Sequence, residues 1–257
     1  MFGAASKKNP QNKRDVHSKN ISDNVFQTLQ TISSSHNYNV WMYDNIKKYL
    51  SGHVMDIGSG LGDIVQYYTR SNIDSVTLSD YSDQMVAYLK KKFSHLDRYF
   101  PLIMDISADN FYPDSAHTSK DTVTCINVLE HIEDDAKALR NMHCLLNKNG
   151  RLVLVVPACD QLYGTLDALV GHYRRYDKKE LRRVLNEAGF VVTEQRYMNF
   201  LGIFTWFFSG RILKQKKFDE KACQRLDKFV PFLEKCEALL HPPIGQSLIT
   251  VCSKLNH

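Results

Sequence analysis

The sequence predicts an α/β fold in which an open, mostly parallel sheet carries helices on both faces. Strand-length apolar runs alternate with stretches at helical spacing from His53 to the C-terminus. A glycine-rich turn directly follows the first run, and capping and breaking residues fall where one element should end and the next begin.

Residues 1–35 are polar, rich in Lys, Asn and Ser, and read as a mobile extension ending in a short helix built on Val25, Leu29 and Ile32. The domain itself is expected over residues 36–257. Val40, Trp41, Ile46 and Leu50 keep roughly helical spacing until Ser51-Gly52 stops them. Residues 53–57 form the first strand, and a helix is expected from about Asp63. The second strand, 75–78, leads to Ser79-Asp80, and Ser82 can cap a helix carrying Met85, Leu89 and Phe93. Strands follow at 102–104 and 122–126, then an amphipathic helix over 134–146. A fifth strand, 151–156, is stopped by Pro157. Asp177, with Glu180 three residues on, caps a helix ended by Gly189. Residues 190–196 and 247–252 are the last strands.

The chain has 257 residues, is 43% hydrophobic and carries a formal net charge of +5, an ordinary balance for one globular domain. No arginine-rich or nucleic-acid-binding motif accompanies the mild positive charge, so nucleic acid is not an expected partner. Six scattered cysteines lack a Cys-x-x-Cys pair and read as reduced thiols. No signal-like stretch opens the chain, and the longest apolar run, 198–213, is too short to span a bilayer. The expected compartment is the cytoplasm. No metal is expected, because no close His/Asp/Glu ligand cluster is visible in the sequence.

The turn Asp56-Ile57-Gly58-Ser59-Gly60-Leu61-Gly62 sits between strand and helix, where doubly wound sheets bind ligands. A dinucleotide Gly-x-Gly-x-x-Gly pattern fails in either register, since Asp63 or Val65 stands where its last glycine belongs. Carboxylates at Asp56 and Asp63 suit a ligand with an ammonium and a sulfonium, S-adenosylmethionine (SAM), better than a pyrophosphate. Asp80, followed by Tyr81, is placed for ribose hydroxyls. Asp105 and Ile106 are placed for adenine, and Asn127 for the amino-acid end. Gly58, Ser59, Gly60 and Gly62 would let the ligand approach the backbone.

Residues 39–255 resemble the class I SAM-dependent methyltransferases, especially a bacterial group with small-molecule and lipid- or glycan-linked acceptors. The resemblance is carried by the stretch Asn37 to Trp41, the glycine turn, Asn127-Val128-Leu129-Glu130-His131-Ile132, Leu162-Tyr163-Gly164 and Gly171-His172-Tyr173-Arg174-Arg175-Tyr176. It implies a Rossmann-like seven-stranded sheet of order 3-2-1-4-5-7-6 with the last strand antiparallel. Asp56 stands where the family often has Glu, which keeps the carboxylate.

Methyl transfer depends on orientation, and a base is needed only when the acceptor loses a proton. His131 and His172 are the catalytic candidates. Tyr163, Arg174, Arg175 and Tyr176 are candidates for gripping an anionic or aromatic acceptor. A helical lid is expected at about 198–245, with Trp206 and Phe207 lining an apolar pocket. The basic run Arg211, Lys214, Lys216 and Lys217 beside it could meet an anionic head group or a membrane surface. The expected function is O-methylation of a small apolar or aromatic acceptor. C- or N-methylation on a lipid- or glycan-linked acceptor, an RNA or protein substrate, a non-catalytic SAM-binding domain and a nicotinamide oxidoreductase remain as alternatives.

Overall fold

The computed structural model describes residues 35–111, 118–215, 217 and 219–254. The helix expected on Val25, Leu29 and Ile32, the mobile extension up to residue 34 and Lys216 lie outside the described residues.

Seven strands form one sheet: β1 (Gly52–Ile57), β2 (Ile73–Asp80), β3 (Tyr99–Ile103), β4 (Lys120–Ile126), β5 (Leu146–Pro157), β6 (Phe190–Met198) and β7 (Ser247–Lys254). Their order is β3-β2-β1-β4-β5-β7-β6. β7 pairs antiparallel with both β5 and β6, and the other pairs are parallel. The fold and strand order are those expected.

Strand alternation feeds two cores, one on each face. Val54, Val153 and Ile249 join Met42 and Tyr68 on one face, while Met55, Leu154 and Leu248 pack with Leu139 and Leu185 on the other. The first face is covered by α1 (His36–Ile46) and α2 (Asp83–Lys92), the second by α3 (Asp135–Leu145) and α5 (Lys178–Glu187). The side chains of Ser82, Asp134 and Asp177 accept backbone N–H bonds at the starts of α2, α3 and α5.

The helix expected from Asp63 is instead a 3-10 segment, Val65–Arg70. The crossover between Ile57 and Ile73 spends its first residues on the glycine turn, which leaves too little chain for a full α-helix.

The connection between β6 and β7 is more broken than a pair of helices. It holds α6 (Gly202–Phe207), a π-turn (Phe208–Ile212), α7 (Glu220–Asp227) and α8 (Val230–Leu240). Ser247, at the start of β7, pairs with Pro157 and Met198 at the ends of β5 and β6, so the insertion rises from the carboxyl edge of the sheet. It is tied down at both ends. Asp227 accepts the amides of Asn37 and Tyr38 at the start of α1, and Glu237 accepts those of Asn199 and Phe200. Among the described residues no helix is long and apolar enough to cross a membrane.

Candidate active site

The glycine turn leaves β1 with Gly58, Gly60 and Gly62 all at positive φ, a region that costs other residues free energy. A Cβ on Gly58 would lie 2.5 Å from Val128 Cγ2, and one on Gly62 2.7 Å from the Phe93 ring. The loop after β4 therefore closes directly over the turn.

Two carboxylates brace this turn. Asp80, buried at the end of β2, accepts from the Gly60 amide at 3.0 Å and the Ser82 amide at 2.9 Å. Burial raises its pKa, while the backbone hydrogen bonds oppose the shift. Tyr81 beside it is 75% exposed. Asp56 lies deeper. Its carboxylate accepts from the hydroxyls of Thr124 and Ser59, and burial pushes its pKa up to about 6. It thus acts first on the walls of the turn and only through them on a ligand.

Asp105 and Ile106 follow β3. Asp105 is exposed and receives the amide and hydroxyl of Ser107, whereas Ile106 is buried. Asn127 ends β4 at positive φ with its side chain exposed. The strand ends thus line up Asp80, Asp105 and Asn127 on either side of the glycine turn, as the topology requires. The turn, braced by the Asp56 and Asp80 carboxylates and held on its outer side by Lys92 through the Leu61 carbonyl and Asp63, fits a ligand carrying an ammonium and a ribose.

A second cluster lies just beyond Asn127. Tyr173 donates its amide to the Glu130 carbonyl, and Tyr176 donates to that of Pro157, which draws residues 172–176 back across the sheet edge. As a result the His131 and His172 rings meet edge-on, with centroids 4.7 Å apart. His172 Nδ1 lies 2.9 Å from Asp167 Oδ1, and its Nε2 lies 3.8 Å from Glu130 Oε1. Burial and the neighbouring His172 lower the His131 pKa to about 4, and burial pushes Glu130 up to about 8. Among the described residues neither Glu130 oxygen has a hydrogen-bond partner.

Asp167, in α4 (Thr165–Val170), organises the rest. Oδ1 also accepts from Arg175 Nε at 2.8 Å, and Oδ2 accepts from the Gly164 amide and from Trp206 Nε1. These bonds hold its carboxyl below the ordinary value despite the opposing effect of burial. The Arg175 guanidinium also stacks 5.0 Å from the centroid of the Trp206 ring.

The amino-acid sequence over residues 33–195 matches a family model described as a methyltransferase domain. The chain belongs to the SAM-dependent methyltransferases. Solved structures agree on the fold. A phosphoethanolamine N-methyltransferase 2 from Haemonchus contortus, in complex with SAM, is 18% identical with a TM-score of 0.58, covering 86% of this chain and 53% of that one. An S-adenosylmethionine-dependent methyltransferase from Mesorhizobium loti is 14% identical with a TM-score of 0.55, covering 83% and 96%. The [4+2]-cyclase SpnF is 19% identical with a TM-score of 0.56, covering 84% and 80%. No curated protein matches the sequence.

Within this methyltransferase the candidate acceptor residues divide. Arg175 and Tyr176, expected to grip an acceptor, point into the protein. Arg175 is buried on Asp167 and the Ala158 carbonyl, and the Tyr176 hydroxyl donates to Asp135. Arg174 is half-buried and bound to Asp135 and the Glu133 carbonyl. Tyr163 donates to the His172 carbonyl. Trp206 is half-buried on Asp167, and Phe207 is exposed. Asp167 and Glu130 are the residues that sequence reasoning did not single out. The one local signal was Glu130 directly beside His131. The absence of a metal was expected because ligands were scattered in sequence, yet folding brings Glu130, His131 and His172 together.

Proposed function

We propose that the enzyme methylates a hydroxyl of a small apolar or aromatic acceptor that enters beneath the lid. The observation that carries this reading is the cluster of Glu130, His131 and His172 beside Asn127, under the lid residue Trp206. SAM supplies an activated methyl group, whose carbon–sulfur bond breaks toward sulfur as the carbon–oxygen bond forms. Gly58, Ser59, Gly60 and Gly62 shape the cradle, with Asp56 bracing it. Asp80 and Tyr81 hold the ribose, Asp105 and Ile106 the adenine, and Asn127 the amino-acid end. The acceptor hydroxyl loses its proton beside the cluster of Glu130, His131 and His172, where Asp167 fixes the orientation of His172.

The acceptor side is open and partly aromatic. Tyr163, Tyr173 and Arg211 line a groove with Asp160 and Gln161. Phe204, Phe207 and Phe208 are exposed on the lid. Incubation with methyl-labelled SAM and a panel of phenols, aliphatic alcohols and amines tests the reading. Transfer to hydroxyl acceptors is expected. Transfer confined to amines or carbon would overturn it.

One observation favours a second reading, a lipid- or glycan-linked acceptor at a membrane surface. Ile212, Leu213, Phe229, Phe232, Leu239 and Leu240 are all exposed on the insertion, which also exposes Arg211, Lys214 and Lys217. Binding to anionic vesicles with unchanged activity toward a water-soluble acceptor would separate surface attachment from acceptor choice.

A further inference from the structure

We infer that Glu130, His131 and His172 form a binding site for a divalent transition-metal ion of the zinc class. The coordinating atoms of the three side chains all lie within 4.8 Å of one another. Ligands on one tetrahedral ion at bond lengths of about 2.0–2.2 Å stand roughly 3.3–3.6 Å apart, so closure needs movements of up to about an ångström.

Two features beyond the clustering point to a cation. The first is Glu130, 1% exposed, with both carboxylate oxygens lacking a hydrogen-bond partner among the described residues. A buried carboxylate in that state is costly unless a positive group completes it. The second is the orientation of His172. Asp167 Oδ1 also accepts from Arg175 and acts as an acceptor, so His172 Nδ1 carries the proton shared with it. The lone pair of Nε2 then faces Glu130 Oε1 at 3.8 Å, too far for a hydrogen bond between them. A lone pair opposite a carboxylate repels it, and an ion between them turns repulsion into coordination.

The surroundings have the form such sites take. A ligating imidazole whose other nitrogen donates to a carboxylate has its tautomer and ring direction fixed, and Asp167 does this for His172. Arg175 is neutralised by Asp167, so its charge does not oppose a cation beside Glu130. Two imidazoles and one carboxylate favour zinc, iron or manganese over magnesium or calcium, which prefer all-oxygen shells.

Three protein ligands leave coordination positions open. In the proposed hydroxyl methylation, which this role alone presupposes, the acceptor oxygen takes one of them. The oxygen–hydrogen bond breaks, its proton passes to solvent water, and the oxygen keeps the electron pair that attacks the methyl carbon.

Metal-free protein titrated with Zn²⁺, without SAM, should bind one ion per chain, and the Co²⁺ form should show a visible spectrum without a thiolate charge-transfer band. Glu130→Gln and His172→Ala should each weaken Zn²⁺ binding by roughly 10–100-fold or more, the scale for disturbing such a site. His131→Ala, at the least enclosed of the three positions, gives the same readout should a buried variant fail to fold. SAM affinity, measured in parallel, separates the two ideas. Absent Zn²⁺ binding with intact SAM binding in the wild type overturns the metal site alone, and absent SAM binding in the wild type overturns the methyl-transfer reading alone. No stoichiometric ion, equal affinity in the folded variants, or a thiolate band would each overturn the metal site. The first result would assign the space between Glu130 and His172 to a proton.

Discussion

The indole Nε1 of Trp206 donates a hydrogen bond to Oδ2 of Asp167 across 2.9 Å. The bond joins the first helix of the lid to the carboxylate that orients His172. The position of the β6–β7 insertion and the geometry of the histidine pair are therefore coupled through one side chain. Trp206→Phe keeps the aromatic bulk and removes the donor. The acceptor KM should rise by about 10–100-fold, the scale of a hydrogen bond to a charged group, with SAM affinity unchanged. Steady-state kinetics beside SAM calorimetry checks this, and an equal loss of SAM affinity would break the assignment.

Gly58 tests the cradle. At φ +66°, with a Cβ due 2.5 Å from Val128, alanine there is strained in conformation and in space. Gly58→Ala should lower stability by roughly 1–3 kcal/mol and abolish measurable SAM binding in protein that remains folded. Thermal melts and calorimetry measure both. Wild-type SAM affinity would show that the turn does not meet the ligand.

Asp80 separates bracing from binding. Its oxygens accept from Gly60 and Ser82, so Asp80→Asn turns an amide donor toward backbone N–H groups while keeping the shape. SAM binding should weaken by about 1.5–3 kcal/mol. Asp105→Ala, at an exposed position, should weaken SAM binding without lowering the melting temperature. Unchanged SAM affinity in both variants would remove the ribose and adenine assignments.

The sheet was legible because the strands carry apolar runs and Ser82, Asp134 and Asp177 cap the helices of three of its crossovers. Ser82 and Asp177 cap as their spacing predicts. The 3-10 segment after the glycine turn was not legible, since its helical spacing of apolar residues hides the shortness of the crossover. In the site, the residues on successive strand ends could be read because topology alone places Asp80, Asp105 and Asn127 on one edge. The inward direction of Arg175 and Tyr176 could not. It depends on Asp167 and Asp135, acids from separate helices that no local pattern links to them. Glu130 and His172 are brought together by the return of residues 172–176 along β5, a contact fixed by backbone hydrogen bonds and not by any periodicity.

Asp56 makes stability depend on pH. Its pKa is about 6 in the folded protein against an ordinary 3.8, chiefly from burial. The folded chain therefore holds this proton more tightly than the unfolded chain. The group's contribution is full below about pH 4, declines as pH rises, and is lost above about pH 6. Asp56→Asn lacks the titration. The stability difference between wild type and variant should shift by on the order of 2–4 kcal/mol between about pH 4 and pH 7, with wild type losing ground as pH rises. Urea unfolding across that range measures it, and parallel pH profiles would mean that Asp56 ionises in the fold as it does in water.

Arg174 and Arg175 adjoin in sequence and differ in role. Arg175 is buried, donates to Asp167 and to the Ala158 carbonyl, and packs on Trp206. Removing one partner of a buried ion pair strands the other charge, at a cost of about 3–5 kcal/mol. Arg174 is about one-third exposed in its pair with Asp135, where solvent screening holds the contribution of such a pair to about 1 kcal/mol or less. Arg175→Met should thus approach the whole stability of a marginal domain, while Arg174→Ala should leave the unfolding curve nearly in place. The two also differ in what they disturb. Arg175→Met leaves Asp167 charged with one donor fewer, which shifts both His172 and Trp206 and lowers turnover in whatever fraction stays folded. Arg174→Ala frees one Asp135 oxygen that Tyr176 still contacts, and turnover should hold within a few-fold. Urea midpoints and turnover for the pair decide it, and equal, small effects from both would place Arg175 at the surface of the energetics despite its burial.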